Sequence, residues 1–505
     1  MYKPISLKKN TIANYIGQLY VMFIGIFILP FYLEYLSAEA YGLVGFFTML
    51  MSCMVLLDVG LSITLARETA RLKDKVNGLI ELKKITLSIE VFFVVISILI
   101  FSAIFSGSGW LSTHWLDVKE LSLATVESTI KIMAFMIVLR WFIGLYQGSI
   151  IGFERQVWLN KYKVIIATLK FFGAYLLIVF ISNDIVDFFY YQLLITVIEF
   201  VVIKLKIDSY MKISKRVVPS ILTLKQIAPF SLSIAYASAI WVFITQLDKL
   251  MLSHYLPLHE YGFFTLVIVV SNAILQLSQP IGQALLPRMA SLLSNGKEKE
   301  MIELYRKSTQ IVSIIVLAVS GVVATFSYEL LYLWTGNSEA SAWAAPILFW
   351  YALGNGAVAL LSFQYYMQYA HGDLKYHVRG NTYFGFIQIA IIVLSVHFYG
   401  AIGAAVAWFG LQTVFFLFWP WYIHNKFASG IHKDWLFKDI APMFSVSMLY
   451  LFVLKNIGIE FGENRIVVFL TFIIIGILLL LLNSLASNYV RSIIKDFVVR
   501  KKHAK

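Results

Sequence analysis

Apolar runs of twenty residues or more, separated by short polar stretches, recur from one end of the chain to the other. A helix that crosses a bilayer needs about 20 consecutive, mostly apolar residues. Candidate spans fall near 11–36, 41–66, 84–107, 124–151, 162–182, 185–204, 228–255, 261–286, 308–333, 343–369, 381–399, 401–424, 439–456 and 465–487, about fourteen in all. The pattern predicts an all-α integral membrane protein. The polar stretches alternate in charge. Arg67, Arg71, Lys73 and Lys75 follow the second span, Arg155, Lys161 and Lys163 the fourth, and Lys204, Lys206, Lys212 and Arg216 the sixth. Arg288, Lys297 and Lys299 follow the eighth, and Arg491, Lys495, Arg500, Lys501 and Lys502 close the chain, whereas the opposite loops hold Lys119, Lys455 and Arg465. Positive charge is retained on the cytoplasmic side. Both termini are therefore expected in the cytoplasm, which requires an even number of spans. The first run follows Lys3, Lys8 and Lys9 and continues to about Leu36. That is too long for a signal-peptide core, so it reads as an uncleaved span.

Composition sharpens this picture. Of 505 residues 60% are hydrophobic and 14% charged, against about 25% charged in a soluble domain. The excess of 41 Lys+Arg over 28 Asp+Glu sits in short loops between spans, where it reads as a topology signal and not as a nucleic-acid surface. Cys53 is the single cysteine, so no disulfide framework or cysteine metal site is expected. The chain has no G-x-x-x-x-G-K-[ST] loop and no H-E-x-x-H motif. Its longest outer loop, about 107–120, has no room for a folded catalytic domain. The expectation is a non-enzyme with no cofactor and no metal.

An internal repeat organises the spans. Leu36-Ser-Ala-Glu-Ala-Tyr41-Gly42 precedes the second span and Leu256-Pro-Leu-His-Glu-Tyr261-Gly262 the eighth. Leu65-Ala66-Arg67 and Leu286-Pro287-Arg288 close those spans, and Asn160-Lys161-Tyr162 and Asn381-Thr382-Tyr383 open the fifth and eleventh. The matches keep one order at an offset of about 220 residues. Six spans return the chain to its starting side, so the two halves share orientation and imply a pseudo-two-fold along the membrane normal. The expected organisation is an N-terminal six-helix lobe at 1–205, a basic cytoplasmic linker at 206–227, a second six-helix lobe at 228–427, and two further helices with a basic tail at 428–505.

The chain resembles the polysaccharide exporters of the superfamily that also holds the multidrug (MATE) exporters, and within it the O-antigen flippases. The likeness rests on Tyr41-Gly42 with Asp58-Val-Gly60-Leu61 and Arg67; on Gly148 with Gly152-Phe-Glu-Arg155-Gln156 and Asn160; on Asp248-Lys249 through Ser253 with Tyr261-Gly262; on Pro280 through Arg288; and on Gln368-Tyr-Ala-His-Gly372 with Asn381. It covers residues 1 to about 425, with His371-Gly-Asp373 departing from a Gly-Lys pair common in relatives. It implies transport of undecaprenyl-diphosphate-linked oligosaccharides.

Ionisable groups inside a bilayer cost about 2.5–3.5 kcal/mol each on insertion scales, so each calls for a reason. Asp58, in the cytoplasmic half of the second span, is read either as a proton- or cation-responsive carboxylate or as half of a structural ion pair. Arg140, near the middle of the fourth span with Gln147 on the same face, suits a diphosphate because its planar fork donates two parallel bonds; the bland reading pairs it with Asp58 or Glu90. Asp248 and Lys249 point about 100° apart on a helix, so they are not expected to pair; Lys249 would snorkel outward and Asp248 meet water. The resemblance implies instead that one of them faces a cleft. Lys131 is expected to pair with Glu127, and Lys170, Glu90 and Glu199 to snorkel near helix ends. Amides suit sugar hydroxyls, but for any single amide interhelical hydrogen bonding, common wherever spans pack, is the expected account. The substrate-binding candidates are Arg140, Lys249, Gln147, Asn14, Gln18, Gln279, Gln283 and Gln364; the ion-coupling candidates are Asp58 and Asp248. At the repeat offset Asp58 meets Ser278 and Arg140 meets Leu360, so the charged chemistry is asymmetric.

The expected function is a flippase carrying a polyprenyl-diphosphate-linked glycan, an O-antigen repeat or similar unit, across a bacterial inner membrane. Alternating access would be driven by an ion gradient of H+ or Na+, in association with membrane lipid and other polysaccharide-assembly proteins. A MATE-type cation-coupled exporter of small molecules is the competing reading, and a membrane glycan polymerase or ligase a third. No nucleic-acid partner is expected.

Overall fold

The structure is a computed structural model that describes residues 7–56, 58–213, 216–459, 461 and 464–503; side chains are described within these except at 7–15, 55, 283, 284, 287 and 497–503. The described residues are almost entirely helical, with no strand beyond one isolated bridge between Asp117 and Pro257. By packing, the chain divides into two compact units, Met1–Gly262 and Phe263–Lys505.

The first unit holds α1 (Leu7–Tyr35), α2 (Ala38–Cys53), α3 (Leu61–Leu72), α4 (Gly78–Trp110), α5 (Leu123–Gly152), α6 (Gln156–Thr168), α7 (Ala174–Phe180), α8 (Ile185–Tyr210) and α9 (Ile221–Tyr255). A π-helical segment, Leu169–Gly173, joins α6 to α7. Polar caps start several of these helices: Ser37 accepts from Ala40 N at 3.1 Å, Ser122 from Thr125 N at 3.0 Å and Asp184 from Val186 N at 2.6 Å. Each satisfies an amide that the first helical turn leaves unpaired. The core lies between α3, α4, α5 and α8, where the Phe93 and Trp141 rings stack with centroids 4.1 Å apart. Small residues bring backbones together there, the common device where lipid removes any hydrophobic drive between helices. A Cβ on Gly148 would lie 2.4 Å from Ser62 O, and one on Gly152 2.4 Å from Ala66 O, so α3 seats directly on α5. The repeated Tyr-Gly pairs have a similar basis. A Cβ on Gly42 would lie 2.2 Å from Leu258 O, and one on Gly262 2.3 Å from Ala38 O.

The long helix α10 (Leu258–Ser294) starts in the first unit and continues into the second. The second unit adds α11 (Glu298–Thr325), α12 (Ser327–Thr335), α13 (Ser338–Ala370), α14 (Lys375–Phe427), α15 (Ile431–Asp439), α16 (Ala441–Ile457), α17 (Arg465–Ala486) and α18 (Asn488–His503). Its core gathers Met289, Met301, Tyr305, Phe363, Met367 and Trp435. A neighbouring cluster of Phe326, Leu451, Phe472, Ile475 and Leu479 packs α16 and α17 against α11 and α12. The two spans that follow the repeat therefore belong to the second unit's packing.

Twelve described helices are long and apolar enough to cross a membrane. One of them, α14, has 53 residues and would be about 80 Å long as a single rod, more than twice a bilayer core. Gly400, at φ 56° and ψ −140°, breaks it into two spans. The remaining span is the α2–α3 pair, 16 and 12 residues long and each too short alone. Twelve, plus one for the division of α14 and one for α2–α3, gives the fourteen read from hydropathy. The chain is an all-α, multi-pass membrane protein.

Candidate functional site

In the first unit, the second span is broken where Asp58 sits. After α2 come one 3₁₀ turn, Met54–Leu56, and two residues in the left-handed region, Val59 at φ 50° and Gly60 at φ 69°. Irregular backbone at membrane depth survives only where the freed polar groups find partners. Here Thr64 Oγ donates to Gly60 O at 2.8 Å and shares a hydrogen bond of 2.8 Å with Ser231 Oγ. The Asp58 carboxylate accepts from Ser62 N at 3.1 Å and Ser62 Oγ at 2.5 Å, capping α3. The groups that act on it are neutral, the Ser62 hydroxyl and amide and the Trp141 side chain, in place of the cation that the ion-pair reading requires.

Three charges meet near the middle of their spans. Lys170, in the π-helical segment, forms an ion pair with Glu199 of α8; both are buried, at 7% and 8% exposure. Arg140 of α5 lies within electrostatic reach of both. The expectation that Lys170 and Glu199 snorkel is overturned. A π-turn widens the helix and re-aims a side chain, which here carries the Lys170 ammonium sideways onto α8. The carbonyls it displaces are recaptured: Tyr191 Oη donates to Leu169 O, Gln192 Nε2 to Lys170 O and Tyr32 Oη to Phe171 O, each at 2.8 Å. Glu90 does not snorkel either; Lys204 Nζ at 2.6 Å and Tyr146 Oη at 2.9 Å hold it. The two carboxylates expected to pair with Arg140, Asp58 and Glu90, are thus engaged elsewhere, and the anion within its reach is Glu199, which Lys170 already holds. The Arg140 guanidinium sits 5.9 Å from the Phe47 ring centroid, and its Nε is buried without a hydrogen-bond partner. Gln147, on the same face of α5, is half-buried.

Asp248 and Lys249 depart from expectation. Lys249 Nζ lies 3.1 Å from both Asp248 oxygens and donates to Thr245 O at 2.7 Å. Asp248 is 2% exposed, so it does not meet water. Adjacent Cβ vectors diverge on a helix, but a four-carbon lysine stem folds back far enough to close the gap. Lys131 and Glu127 form the expected i, i+4 pair at 2.6 Å.

The amides divide by exposure. Gln18 on α1 is exposed, as are Gln276 and Gln279 on α10. A bare amide facing hydrocarbon is costly, so these faces are assigned to water. Gln364 is 4% exposed, and its oxygen accepts from Trp419 Nε1 at 3.0 Å and from Gln368. Asn355 is held in the same way by Trp408 Nε1 at 3.0 Å. These two are interhelical ties. Asn14 and Gln283 lie outside the described side chains.

One carboxylate was missed by the sequence reading. Glu39, fully buried, accepts from three successive amides of the loop before α5: Lys119 N at 2.6 Å, Glu120 N at 2.7 Å and Leu121 N at 2.5 Å. Its place in the first turn of α2, inside the repeated motif, was the available signal. Beside it Trp115 Nε1 donates to Ser253 Oγ at 3.1 Å, and His254 Nδ1 to Trp115 O at 3.0 Å.

Apolar spans, some of them broken, that hold charges and amides define a multi-pass helical membrane protein. The model of a family described as "Polysaccharide biosynthesis protein" matches residues 7–293, more than half of the chain. The chain belongs to that polysaccharide biosynthesis protein family. No curated protein matches it by sequence. Among solved structures it is similar to the lipid II flippase MurJ in an inward closed conformation, with TM-score 0.73 and 15% identity over 94% of this chain and 97% of that one. It is also similar to an inward-facing multidrug resistance MATE family transporter, with TM-score 0.61 and 15% identity over 82% and 96%. A further likeness is to a transporter of the same superfamily from Pyrococcus furiosus, with TM-score 0.54 and 14% identity over 83% and 95%. At these identities the likeness shows the fold.

Proposed function

We propose that the protein is a flippase that carries an undecaprenyl-diphosphate-linked oligosaccharide, an O-antigen repeat or similar unit, from the cytoplasmic to the periplasmic leaflet of a bacterial inner membrane. Both termini lie in the cytoplasm, and the cycle is one of alternating access. The observation that carries this reading is Arg140: a mid-membrane guanidinium whose Nε is buried without a partner and whose two expected carboxylates bind other groups. A planar, permanently charged donor fork fits a diphosphate. Within the first unit, Gln147 and the exposed Gln18 extend polar surface for the glycan. Lys249 is a weaker diphosphate ligand than Arg140, because Asp248 already neutralises it. For the same reason Asp58, whose carboxylate is held by a serine and not by a cation, is the better candidate for coupling to H+ or Na+. One charge moved across 100 mV supplies about 2.3 kcal/mol, enough to bias the cycle without ATP.

The test is complementation of a strain lacking this protein. Arg140→Ala is expected to abolish surface glycan, and Arg140→Lys, which keeps charge but loses the fork, to restore a fraction of it. Full glycan with Arg140→Ala at normal protein level would sink the diphosphate role. The fold-level likeness to a multidrug resistance transporter favours one alternative, export of small organic cations. That reading expects drug hypersensitivity in the deleted strain with surface glycan intact.

A further inference from the structure

The last helix is built differently from every span before it. α17 is an unbroken apolar span that ends at Ala486, and after the single extended residue Ser487 (φ −71°, ψ 124°) the chain turns into α18. A buried polar network fixes the turn. Ser487 Oγ donates to Gln310 Oε1 at 2.6 Å, and Tyr489 N donates to the same oxygen at 2.9 Å. Gln310 Nε2 in turn donates to Asp439 at 2.7 Å, and Arg306 Nε donates to Asp439 at 2.6 Å. Gln310, Asp439 and Ser487 are all buried. Such a network sets the direction in which α18 leaves the bundle.

What leaves is amphipathic. Val490, Ile493 and Ile494 fall on one stripe at i, i+3 and i+4, and the sequence continues it at Phe497. Ile493 is 49% exposed and Ile494 45%, so the protein itself leaves this stripe uncovered. Arg491 and Lys495 border it and are exposed, and Arg500, Lys501 and Lys502 follow in sequence. Five basic residues against one acid, Asp496, lie within 16 residues. Beside the start of α18 is a recess of about 350 Å³ with Lys299, Glu303, Arg306, Lys307, Asn488 and Tyr489 on its walls.

We infer that α18 lies in the plane of the cytoplasmic leaflet as an interfacial anchor, its Ile493–Ile494 stripe among the acyl chains and its basic flanks on anionic phospholipid headgroups. An apolar stripe rimmed by Lys and Arg, placed directly after a transmembrane span, has the chemistry of such helices. The occupant is the lipid surface, because α17 already delivers α18 to it and because basic residues outnumber the single acid, Asp496, five to one along α18. The proposal does not depend on which substrate the protein carries.

The test uses the full chain with Cys53→Ser and either Ile494→Cys or Ser492→Cys, each labelled with an environment-sensitive nitrobenzoxadiazole. The labelled proteins are reconstituted into vesicles of phosphatidylcholine alone or of phosphatidylcholine with phosphatidylglycerol. The position-494 label is expected to emit at shorter wavelength and to be quenched by brominated acyl chains, more so with phosphatidylglycerol, while the position-492 label stays water-like. A second variant, Lys495→Gln with Arg500→Gln and Lys501→Gln, keeps the apolar stripe. It is expected to lose the phosphatidylglycerol preference by roughly fivefold per residue removed. Water-like emission at position 494 in both vesicle types would overturn the proposal. So would a blue shift that scales with protein density, which would place a second copy on the stripe, or one that appears only on adding a soluble protein.

Discussion

The buried group of Arg140, Lys170 and Glu199 makes an asymmetric prediction. Lys170, Arg140 and the half-buried Lys163 all feel one anion, Glu199, and Lys170 and Glu199 are 7% and 8% exposed. Breaking a buried ion pair from one side costs about 3–5 kcal/mol, because the surviving charge is left in a medium that cannot solvate it. Which side is removed decides whether the cost reaches that range or falls below it. Glu199→Gln removes the anion shared by Lys170, Arg140 and Lys163, so the full cost of about 3–5 kcal/mol is expected. Lys170→Met leaves Glu199 within reach of the Arg140 guanidinium, which takes over part of the neutralisation; about 2 kcal/mol is expected. The double variant should cost less than the sum of the two single changes, since partners in one network couple. At roughly 2 °C per kcal/mol for a chain of this size, Glu199→Gln should lower the apparent melting temperature by about 6–10 °C and Lys170→Met by about 4 °C. Melting of the detergent-purified protein, followed by intrinsic tryptophan fluorescence at one scan rate, measures both. If Lys170→Met costs as much as Glu199→Gln or more, Arg140 is not the second cation of this group, and its availability to a diphosphate must be argued differently.

Two further predictions concern packing and loops. Glu39→Ala removes three charge-assisted bonds to the 119–121 amides, and a loss of about 2–4 kcal/mol is expected after the loop amides recover water. Hydrogen exchange at Lys119, Glu120 and Leu121 should rise sharply, and unchanged protection there would refute the clamp. Gly148→Val drives a side chain into the Ser62 carbonyl and should abolish accumulation of folded protein, whereas Gly144→Ala, one turn away with open space around its Cβ position, should be tolerated. Equal yields of the two variants in detergent extracts would contradict the close seating of α3 on α5.

The feature most open to sequence reading was the set of spans, and the feature least open was the partnership of charges. Hydropathy found the Gly400 division inside a continuous helical run because a tight polar-free turn still needs glycine at positive φ. It also found the second span, although that span is two short helices and not one. Asp58, Arg140, Asp248 and Lys249 were recognised as ionisable groups that needed an explanation, yet their partners were not foreseen. Lys170 meets Glu199 across 29 residues and Lys204 meets Glu90 across 114. No local spacing rule reaches that far. The π-turn that aims Lys170 leaves no mark in the residue pattern, because it depends on Tyr32, Tyr191 and Gln192 arriving from other helices to take its carbonyls.

The bilayer explains this division. Lipid penalises each polar group and each unpaired amide where it stands, so length, apolarity and loop charge determine by themselves that this chain is a many-span helical membrane protein. Once the helices are inserted, lipid no longer distinguishes one apolar helix contact from another. Close glycine seats, hydrogen bonds and ion pairs then choose the arrangement, and those are properties of two or more helices together. Only the tertiary structure could therefore decide that Glu90, Glu199 and Asp248 are neutralised by lysines while Arg140 keeps a donor free.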